Sequence, residues 1–226
     1  GSPQQETSNM LSGSFGLGMV IACHATPNDG KEDGNPASDD VTIENAKPVV
    51  DSVTLSPETI YTNDTITATV SLSDTDTSQN GDLTASYSWH VVDVDGNDME
   101  VQTGTDNTLS GVSHFDRDEE VYVVVTPSDG ISAGAPVASQ SITIENSAPT
   151  APVISLGPSP AFLGQDDLLC SVDTPSTDAD QDSLTYSYVW TDPAGVVQQS
   201  SLYSGVSDTL QAANAVEGSW TCEVTA

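Results

Sequence analysis

Apolar and polar residues alternate along most of this chain in short runs, and turn residues separate the runs. Alternation with a period of two is the pattern of a β-strand that buries one face, whereas the 3.6-residue period of a helix is nearly absent. The alternation predicts an all-β fold. The strands that it predicts lie at residues 53–55, 65–72, 84–91, 120–126, 140–145, 153–156, 167–172, 185–191 and 219–225.

The sequence also repeats itself after about one hundred residues. Thr-Pro-Asn-Asp-Gly at 26–30 returns as Thr-Pro-Ser-Asp-Gly at 126–130, a shift of 126 − 26 = 100. Val-Thr-Ile-Glu-Asn at 41–45 returns as Ile-Thr-Ile-Glu-Asn at 142–146, a shift of 142 − 41 = 101. A period of this length is too long for a solenoid turn or a propeller blade and matches one small domain. The chain is therefore predicted to be an array of similar domains.

About seven short strands in each hundred residues, with turns between them, predict antiparallel β-sandwiches of the Greek-key type. On this alignment residues 1–46 are a partial repeat with the last strands only, and residues 47–147 are a complete repeat. Residues 148–226 are a repeat that lacks its final strand. Pro48 and Pro149 each follow a final strand, and proline stiffens the backbone before it. We therefore expect short, semi-rigid linkers.

The unequal ends have two explanations, which the sequence leaves open. The chain can be a fragment cut without regard to domain boundaries. Alternatively, the N-terminal strand of one molecule, at about residues 40–44, completes the open sheet of the next by donor-strand exchange. An unpaired sheet edge readily accepts such a strand.

The charge of the chain is strongly acidic, with 34 Asp and Glu against Lys31, Lys47 and Arg117 and a formal net charge of −31. Such a surface disfavours nucleic acid and anionic membranes as partners. No apolar run has transmembrane length, so we expect no membrane insertion. Divalent cations or high salt would relieve the self-repulsion. A calcium-rich exterior and a halophile-type acidic surface remain alternative explanations.

Two clusters of aspartates precede matching strands and are candidate calcium sites. Carboxylates at alternate loop positions converge readily on one hard cation, and calcium takes six to eight oxygen ligands. The alternative is that these are solvated loop carboxylates. A third acidic segment, at 93–98, suits either calcium or a hairpin turn. The candidate calcium ligands are Asp74, Asp76, Asp82, Asp178, Asp180 and Asp182.

Three segments carry a family resemblance. They are Asp-Ala-Asp-Gln-Asp-Ser-Leu-Thr-Tyr-Ser-Tyr-Val-Trp at 178–190, Val-Thr-Pro-Ser-Asp-Gly at 125–130 and Ile-Thr-Ile-Glu-Asn-Ser-Ala-Pro at 142–149. From about residue 11 to 226 the chain resembles tandem Ig-like/PKD-like β-sandwich repeats of large secreted or cell-surface prokaryotic proteins. PKD domains often continue after the tryptophan with Gly-Asp-Gly, whereas Thr-Asp-Pro-Ala-Gly follows Trp190, which favours the broader Ig-like assignment.

This resemblance implies a disulfide and an extracellular or cell-surface location. Cys170, Trp190 and Cys222 follow the Ig-like pattern, in which a disulfide joins facing sheets and packs on a tryptophan. Such a bond implies an oxidising compartment. Cys23 aligns with Cys222 and is left over, which indicates either truncation or an intermolecular bond.

No residue is predicted to be catalytic. His90 and His114 are isolated in the sequence and lack zinc-site spacing, and the paired carboxylates lack the aromatic platforms of a glycosidase. The function that we expect is a non-enzymatic extracellular structural or assembly protein, a stalk or filament of tandem Ig-like repeats that can bind copies of itself. The alternatives are an adhesin-type binding module for a glycan or protein, and an accessory region of a secreted hydrolase.

Overall fold

Nearly all the regular structure is β-strand in the computed structural model, which describes residues 10–76 and 83–226, so the all-β prediction is confirmed. The described helices are α1 (Gly111–His114) and one 3-10 turn (Ala212–Asn214), and neither could cross a membrane. The strands are β1 (Val20–Ala25), β2 (Ala37–Thr42), β3 (Val49–Ser56), β4 (Ile60–Tyr61), β5 (Thr65–Ser73), β6 (Thr84–Val92), β7 (Asp98–Gly104), β8 (Thr108–Ser110), β9 (Glu120–Ser128), β10 (Val137–Ala138), β11 (Ile142–Glu145), β12 (Val153–Gly157), β13 (Leu168–Thr174), β14 (Tyr186–Thr191), β15 (Val197–Tyr203), β16 (Ser207–Leu210) and β17 (Thr221–Thr225).

Strands β3 to β11 form two facing sheets, which we call the middle sandwich. One sheet has the order β3-β5-β8, and the other has the order β4-β11-β9-β6-β7 with β10 also paired to β9. Every pair is antiparallel except β4 with β11. Alternate residues of β9 point inward because the strand period is two. The core between the sheets contains Ile60, Ile66, Ala68, Trp89, Val91, Leu109, Phe115, Val121, Val123, Val125 and Ile144.

Strands β12 to β17 form a second pair of sheets, the C-terminal sandwich, with the orders β12-β13-β16 and β15-β14-β17. Trp190 pairs with Cys222 on β17 as Trp89 pairs with Val123 on β9, so β17 is the counterpart of β9. The predicted disulfide between Cys170 and Cys222 is present and joins β13 to β17, with 6.4 Å between the Cα atoms. It lies beside Trp190 in a core that contains Leu168, Cys170, Val172, Tyr186, Tyr188, Trp190 and Leu210.

Strands β1 and β2 form a separate N-terminal hairpin. Ile21 pairs with Val41 in it, as Val121 pairs with Ile142 in the middle sandwich. The sequence predicted only the last strands of a repeat in this part, and the structure has two strands in residues 10–44. In the middle sandwich the chain after β9 pairs with β9 twice, as β10 and as the start of β11, and β11 then pairs with β4. In the hairpin β2 pairs with β1 without a break.

Removing the disulfide should destabilise the C-terminal sandwich alone. The bond closes a loop with a sequence separation of 52 residues, for which the loss of stability is about 3–4 kcal/mol. The variant Cys170→Ala/Cys222→Val copies the middle sandwich, which has Ala68 and Val123 at these positions. Urea titration followed by NMR should show an earlier transition for β14 and an unchanged one for β9. Cys23→Ser is the control, and free thiols at both Cys170 and Cys222 in the untreated protein would contradict the assignment.

Candidate functional site

The predicted aspartate clusters lie at two short linkers, which we call the first joint (residues 45–48) and the second joint (residues 146–149). The same hydrogen bond occurs at both. The Ala46 amide donates to Asp76 Oδ2 at 2.8 Å, and the Ser147 amide donates to Asp180 Oδ2 at 2.6 Å. In each case an aspartate in the loop after β5 or after β13 holds the backbone that leads into its own sandwich.

An Asp-X-Asp sequence builds each of these loops. The Asp76 amide donates to Asp74 Oδ1 at 2.7 Å, and the Asp180 amide donates to Asp178 Oδ1 at 2.8 Å. An aspartate that accepts a bond from the amide two residues later forms an Asx-turn. The first aspartate of each pair therefore shapes the loop, and the second holds the joint.

The first joint also contacts the loop between β9 and β10. Asn45 Nδ2 donates to Asp129 Oδ2 and to Ser132 Oγ, each at 2.9 Å. Pro48 is buried, and a Cβ atom at Gly134 would collide with its carbonyl oxygen. Two loops of the middle sandwich thus hold the joint that precedes it.

Asp129 is the most strongly held carboxylate at the first joint. It accepts hydrogen bonds from the amides of Ser132 at 2.6 Å and Ile131 at 2.8 Å as well as from Asn45. The Ser132 amide first, and then the Asn45 side chain, lower the pKa of Asp129 to about 2. These donors favour the charged carboxylate, which is only 4% exposed. In the sequence this residue is recognisable only as part of a repeated turn.

The second joint carries an ion pair between the two sandwiches. Arg117, in the loop before β9, donates to Asn146 Oδ1 at 2.7 Å and to the carboxylate of Asp182. Asp180 Oδ2 lies 3.9 Å from the same guanidinium. The hydrogen bond that Arg117 donates to Asp182 raises the pKa of Arg117. Because Arg117 is 30% exposed, water and salt screen the pair and its contribution to stability is small.

The structure brings part of the predicted calcium sites together. Oxygen atoms of Asp178, Asp180 and Asp182 lie within 4.8 Å of one another, and this is the one such acidic group in residues 10–76 and 83–226. It could hold a metal ion, although Arg117 already supplies a positive charge beside it. Asp74 and Asp76 lie at the first joint, and Asp82 lies outside the described residues.

The acidic segment at 93–98 forms a hairpin turn between β6 and β7. Asp93 Oδ1 accepts bonds from the amides of Asp95 and Asn97, both at 2.9 Å. Asp192 makes the same turn between β14 and β15 by accepting from Ala194 and Val196 at 2.9 Å. The structure thus shows the hairpin alternative for this segment.

His90, which is isolated in the sequence, lies in a row of polar side chains on the outer face of β6, β7 and β9. Its Nδ1 lies 3.0 Å from Asp98, and its Nε2 lies 3.1 Å from Ser88 Oγ. A nucleophilic serine would donate its proton to the histidine, but the Ser88 hydroxyl donates to Glu100 at 2.5 Å. Tyr122 donates to Asp98 at 2.6 Å, which raises the pKa of Tyr122 to about 12. The row is therefore not arranged as a catalytic triad.

Cys23 is exposed on β1 and is the free cysteine of the chain. It pairs with Asp39 across the hairpin. An intermolecular bond through Cys23 stays a prediction.

Comparison with known proteins leaves the family open. No family model matches this chain, and no curated protein matches it. Among solved structures it is similar to the crystal structure of the FN1–FN3 domains of chicken CNTN1, with a TM-score of 0.33 and 16% sequence identity over 92% of this chain and 72% of that chain. So low a TM-score carries no argument, and the all-β sandwich assignment rests on the sheets and cores described above.

Asp129→Asn should weaken the first joint in a pH-dependent way. The folded-state pKa of about 2 lies below the ordinary value of 3.8, so the carboxylate stabilises the fold fully above about pH 4. That contribution is lost as the pH falls towards 2. The melting temperature of the variant should therefore lie below that of the unchanged protein at pH 7, and the difference should shrink below pH 4. Thermal melts with Glu58→Gln as the control test this, and a difference that persists at pH 2 would contradict it.

Proposed function

We propose that this chain is a non-enzymatic structural protein of the extracellular or cell-surface space, a semi-rigid stalk of tandem Ig-like domains. The proposed domains are residues 1–46, 47–147 and 148–226. One observation carries the proposal: an aspartate loop binds the amide of the linker in the same way at both joints. A spacer needs joints that keep neighbouring domains in a fixed direction, and this bond restricts the backbone where the chain would otherwise turn.

The energetics of the joints support a stalk. Each joint has four residues and ends in a proline, which restricts the residue before it. The Asp180 side chain is only 1% exposed, so water hardly competes for the Ser147 amide. A hydrogen bond to a charged group contributes about 1.5–3 kcal/mol. The Arg117–Asp182 pair adds a contact between the two sandwiches.

Two features support the proposed location. The disulfide Cys170–Cys222 is typical of an oxidising compartment. The net charge of −31 keeps copies soluble and apart at low salt. The resemblance to PKD-like repeats of secreted prokaryotic proteins agrees with this setting and stays part of the proposal.

Calcium is the metal that we propose for Asp178, Asp180 and Asp182. Hard carboxylate oxygens suit calcium, and water molecules would complete its six to eight ligands. Arg117 neutralises part of the charge of this cluster. Bound calcium would therefore strengthen a joint that Arg117 already helps to hold. The bound ion would also reduce the self-repulsion of the acidic surface.

A second candidate function is a binding module, and one observation favours it. Phe162 and Leu163 in the C-terminal sandwich are 59% and 61% exposed beside the half-buried Trp220. Exposed apolar side chains that lie together often mark a binding surface. A glycan or another protein is the ligand class that this alternative implies.

Removing the contacts of the second joint should make the stalk more flexible. The variant Arg117→Gln/Asp180→Ala removes the ion pair and the acceptor for the Ser147 amide, while both hydrophobic cores remain. We expect small-angle scattering to show a broader distribution of distances, and NMR relaxation to show faster independent tumbling of the two sandwiches. Glu58→Gln, at an exposed site away from the joints, is the control. Equal scattering and equal tumbling times for the folded variant would sink the stalk proposal.

Calcium should stabilise the C-terminal sandwich. An ion present at one hundred times its dissociation constant contributes about 2.7 kcal/mol, so chelation at low salt should lower the melting temperature. Asp182→Asn should abolish the difference between melts with calcium and with chelator. Asp40→Asn, in the N-terminal hairpin, should leave that difference unchanged. A melt of the unchanged protein that does not respond to chelation would exclude calcium here.

A further inference from the structure

At the second joint an asparagine and two aspartates share one positive charge. A guanidinium nitrogen of Arg117 donates to Asn146 Oδ1 at 2.7 Å and lies 3.9 Å from Asp180 Oδ2. The same nitrogen donates to the carboxylate of Asp182. Side-chain carbonyl and carboxylate oxygens therefore converge on one cationic group at this joint.

The first joint presents the same kinds of oxygen atom. Asn45 Nδ2 donates to the carbonyl of the next residue at 2.6 Å, as Asn146 Nδ2 does at 3.0 Å. Asp76 binds the backbone amide of this joint as Asp180 binds that of the second joint. The charged carboxylate of Asp129 can only accept, so its bond with Asn45 Nδ2 shows which end of the side-chain amide is the oxygen. Asn45 Oδ1 and the Asp76 carboxylate are thus the counterparts of two of the groups that converge on the guanidinium.

A leucine stands at the first joint where the second joint has its arginine. The backbone has the same conformation before β1 and before β9, because Gly18 and Asp118 have φ values of 73° and 68°. Both amides also donate at 2.9 Å to the isoleucine carbonyl of the repeated Thr-Ile-Glu-Asn sequence. The residues before them, Leu17 and Arg117, are therefore counterparts, with a shift of 117 − 17 = 100. The leucine side chain carries no charge and donates no hydrogen bond.

Asn45 Oδ1 is buried and accepts no hydrogen bond from any residue that the structure describes. Buried polar atoms in folded proteins nearly always have a partner, so an oxygen of this kind indicates a bound water molecule or ion. The partner of the corresponding oxygen, Asn146 Oδ1, is a cation. We therefore expect Asn45 Oδ1 to face a cation as well.

The charges around Asn45 favour a cation over water. Asp129 is 4% exposed and Asp76 is half-buried, so bulk water screens these carboxylates weakly. Lys47 is exposed and belongs to none of the ion pairs in the described part of the chain. The positive charge that Arg117 supplies at the second joint thus has no counterpart among the described side chains of the first joint.

We propose that the first joint binds a calcium ion through Asn45 Oδ1 and the Asp76 carboxylate, in the place that Arg117 takes at the second joint. Calcium accepts side-chain carbonyl and carboxylate oxygens, and water molecules complete its six to eight ligands. With two protein ligands the site is weak, with a dissociation constant on the order of 10⁻⁴–10⁻³ M, as in extracellular calcium modules. The inference rests on the proposed stalk for its consequence, which is that the ion sets the stiffness of the first joint.

Calcium titration followed by NMR tests the site. Melting of the C-terminal sandwich does not report it, because its ligands belong to the first joint and the middle sandwich. The chain carries Asp182→Asn, so that the calcium site proposed for the second joint does not contribute. We expect saturable shifts of the Asn45 side-chain amide and of the Ala46 amide at millimolar calcium in low salt. Adding Asp76→Asn should raise the dissociation constant at least tenfold, whereas adding Asp40→Asn, on β2, should leave it unchanged.

Leu17→Arg is the decisive variant. A guanidinium at position 17 should bond to Asn45 Oδ1, as Arg117 bonds to Asn146, and calcium should then shift neither amide. Leu17→Met keeps an apolar side chain and should keep the response. Leu17 is 37% exposed, so both variants should fold. The absence of a saturable shift at Asn45 in the chain with Leu17 would mean that only water binds there and would overturn the proposal. An equal response in Leu17→Arg, or a response that appears only with Lys47→Gln, would overturn it too.

NMR relaxation separates this site from the stalk. Calcium should raise the tumbling time of the N-terminal hairpin to that of the middle sandwich, and a chelator should reverse the change. Leu17→Arg should keep the two times equal with or without calcium. Shifts at Asn45 while the hairpin tumbles independently would confirm the ion and contradict the stalk. A second joint that is stiff, as tested through Arg117 and Asp180, while Asn45 shows no shift would overturn the ion site alone.

Discussion

The hydrogen bond from a backbone amide to an aspartate carboxylate is the interaction on which this structure depends most. With 34 acidic and three basic side chains, ion pairs cannot satisfy the carboxylates, so backbone amides do. Asp93 and Asp192 shape hairpin turns in this way, and Asp76 and Asp180 hold the two joints. With so many like charges the chain would otherwise repel itself and favour an extended form. The hydrogen bonds between its carboxylates and backbone amides fix the loops instead. The acidic residues therefore stabilise the loops and joints of the fold, and metal binding would be an additional role.

Packing of the two sheets of each sandwich is the second constraint. Val121, Val123 and Val125 of β9 are fully buried in the core between the two sheets, and β10 and β11 pair with the edge of β9. In β17 of the C-terminal sandwich the inward-facing residues Cys222 and Val224 are half-buried. The disulfide Cys170–Cys222 holds β17 to the opposite sheet.

The strands with sustained alternation could be predicted from the sequence, whereas β4, β7, β8, β10, β15 and β16 could not. Strands β5, β6 and β9 begin at the predicted residues because their alternation is sustained on both faces. Strand β16 (Ser207–Leu210) has one buried position, Leu210, and so carries almost no periodic signal. The sequence predicted the aspartate clusters, but it did not predict the groups that hydrogen-bond to them. The amide that Asp180 binds lies 33 residues earlier in the chain, and Arg117 lies 65 residues from Asp182. Only the folded arrangement of two sandwiches brings such groups together.

Amide-proton chemical shifts of Ala46 and Ser147, followed by NMR as the pH is lowered, test the central claim most directly. An amide bound to a carboxylate resonates downfield and moves upfield when that carboxylate is protonated. We predict this behaviour for both amides, with its loss at Ser147 in Asp180→Asn and at Ala46 in Asp76→Asn. Amide shifts typical of an unstructured peptide at neutral pH, unaffected by either substitution, would show that the aspartate loops do not hold the joints.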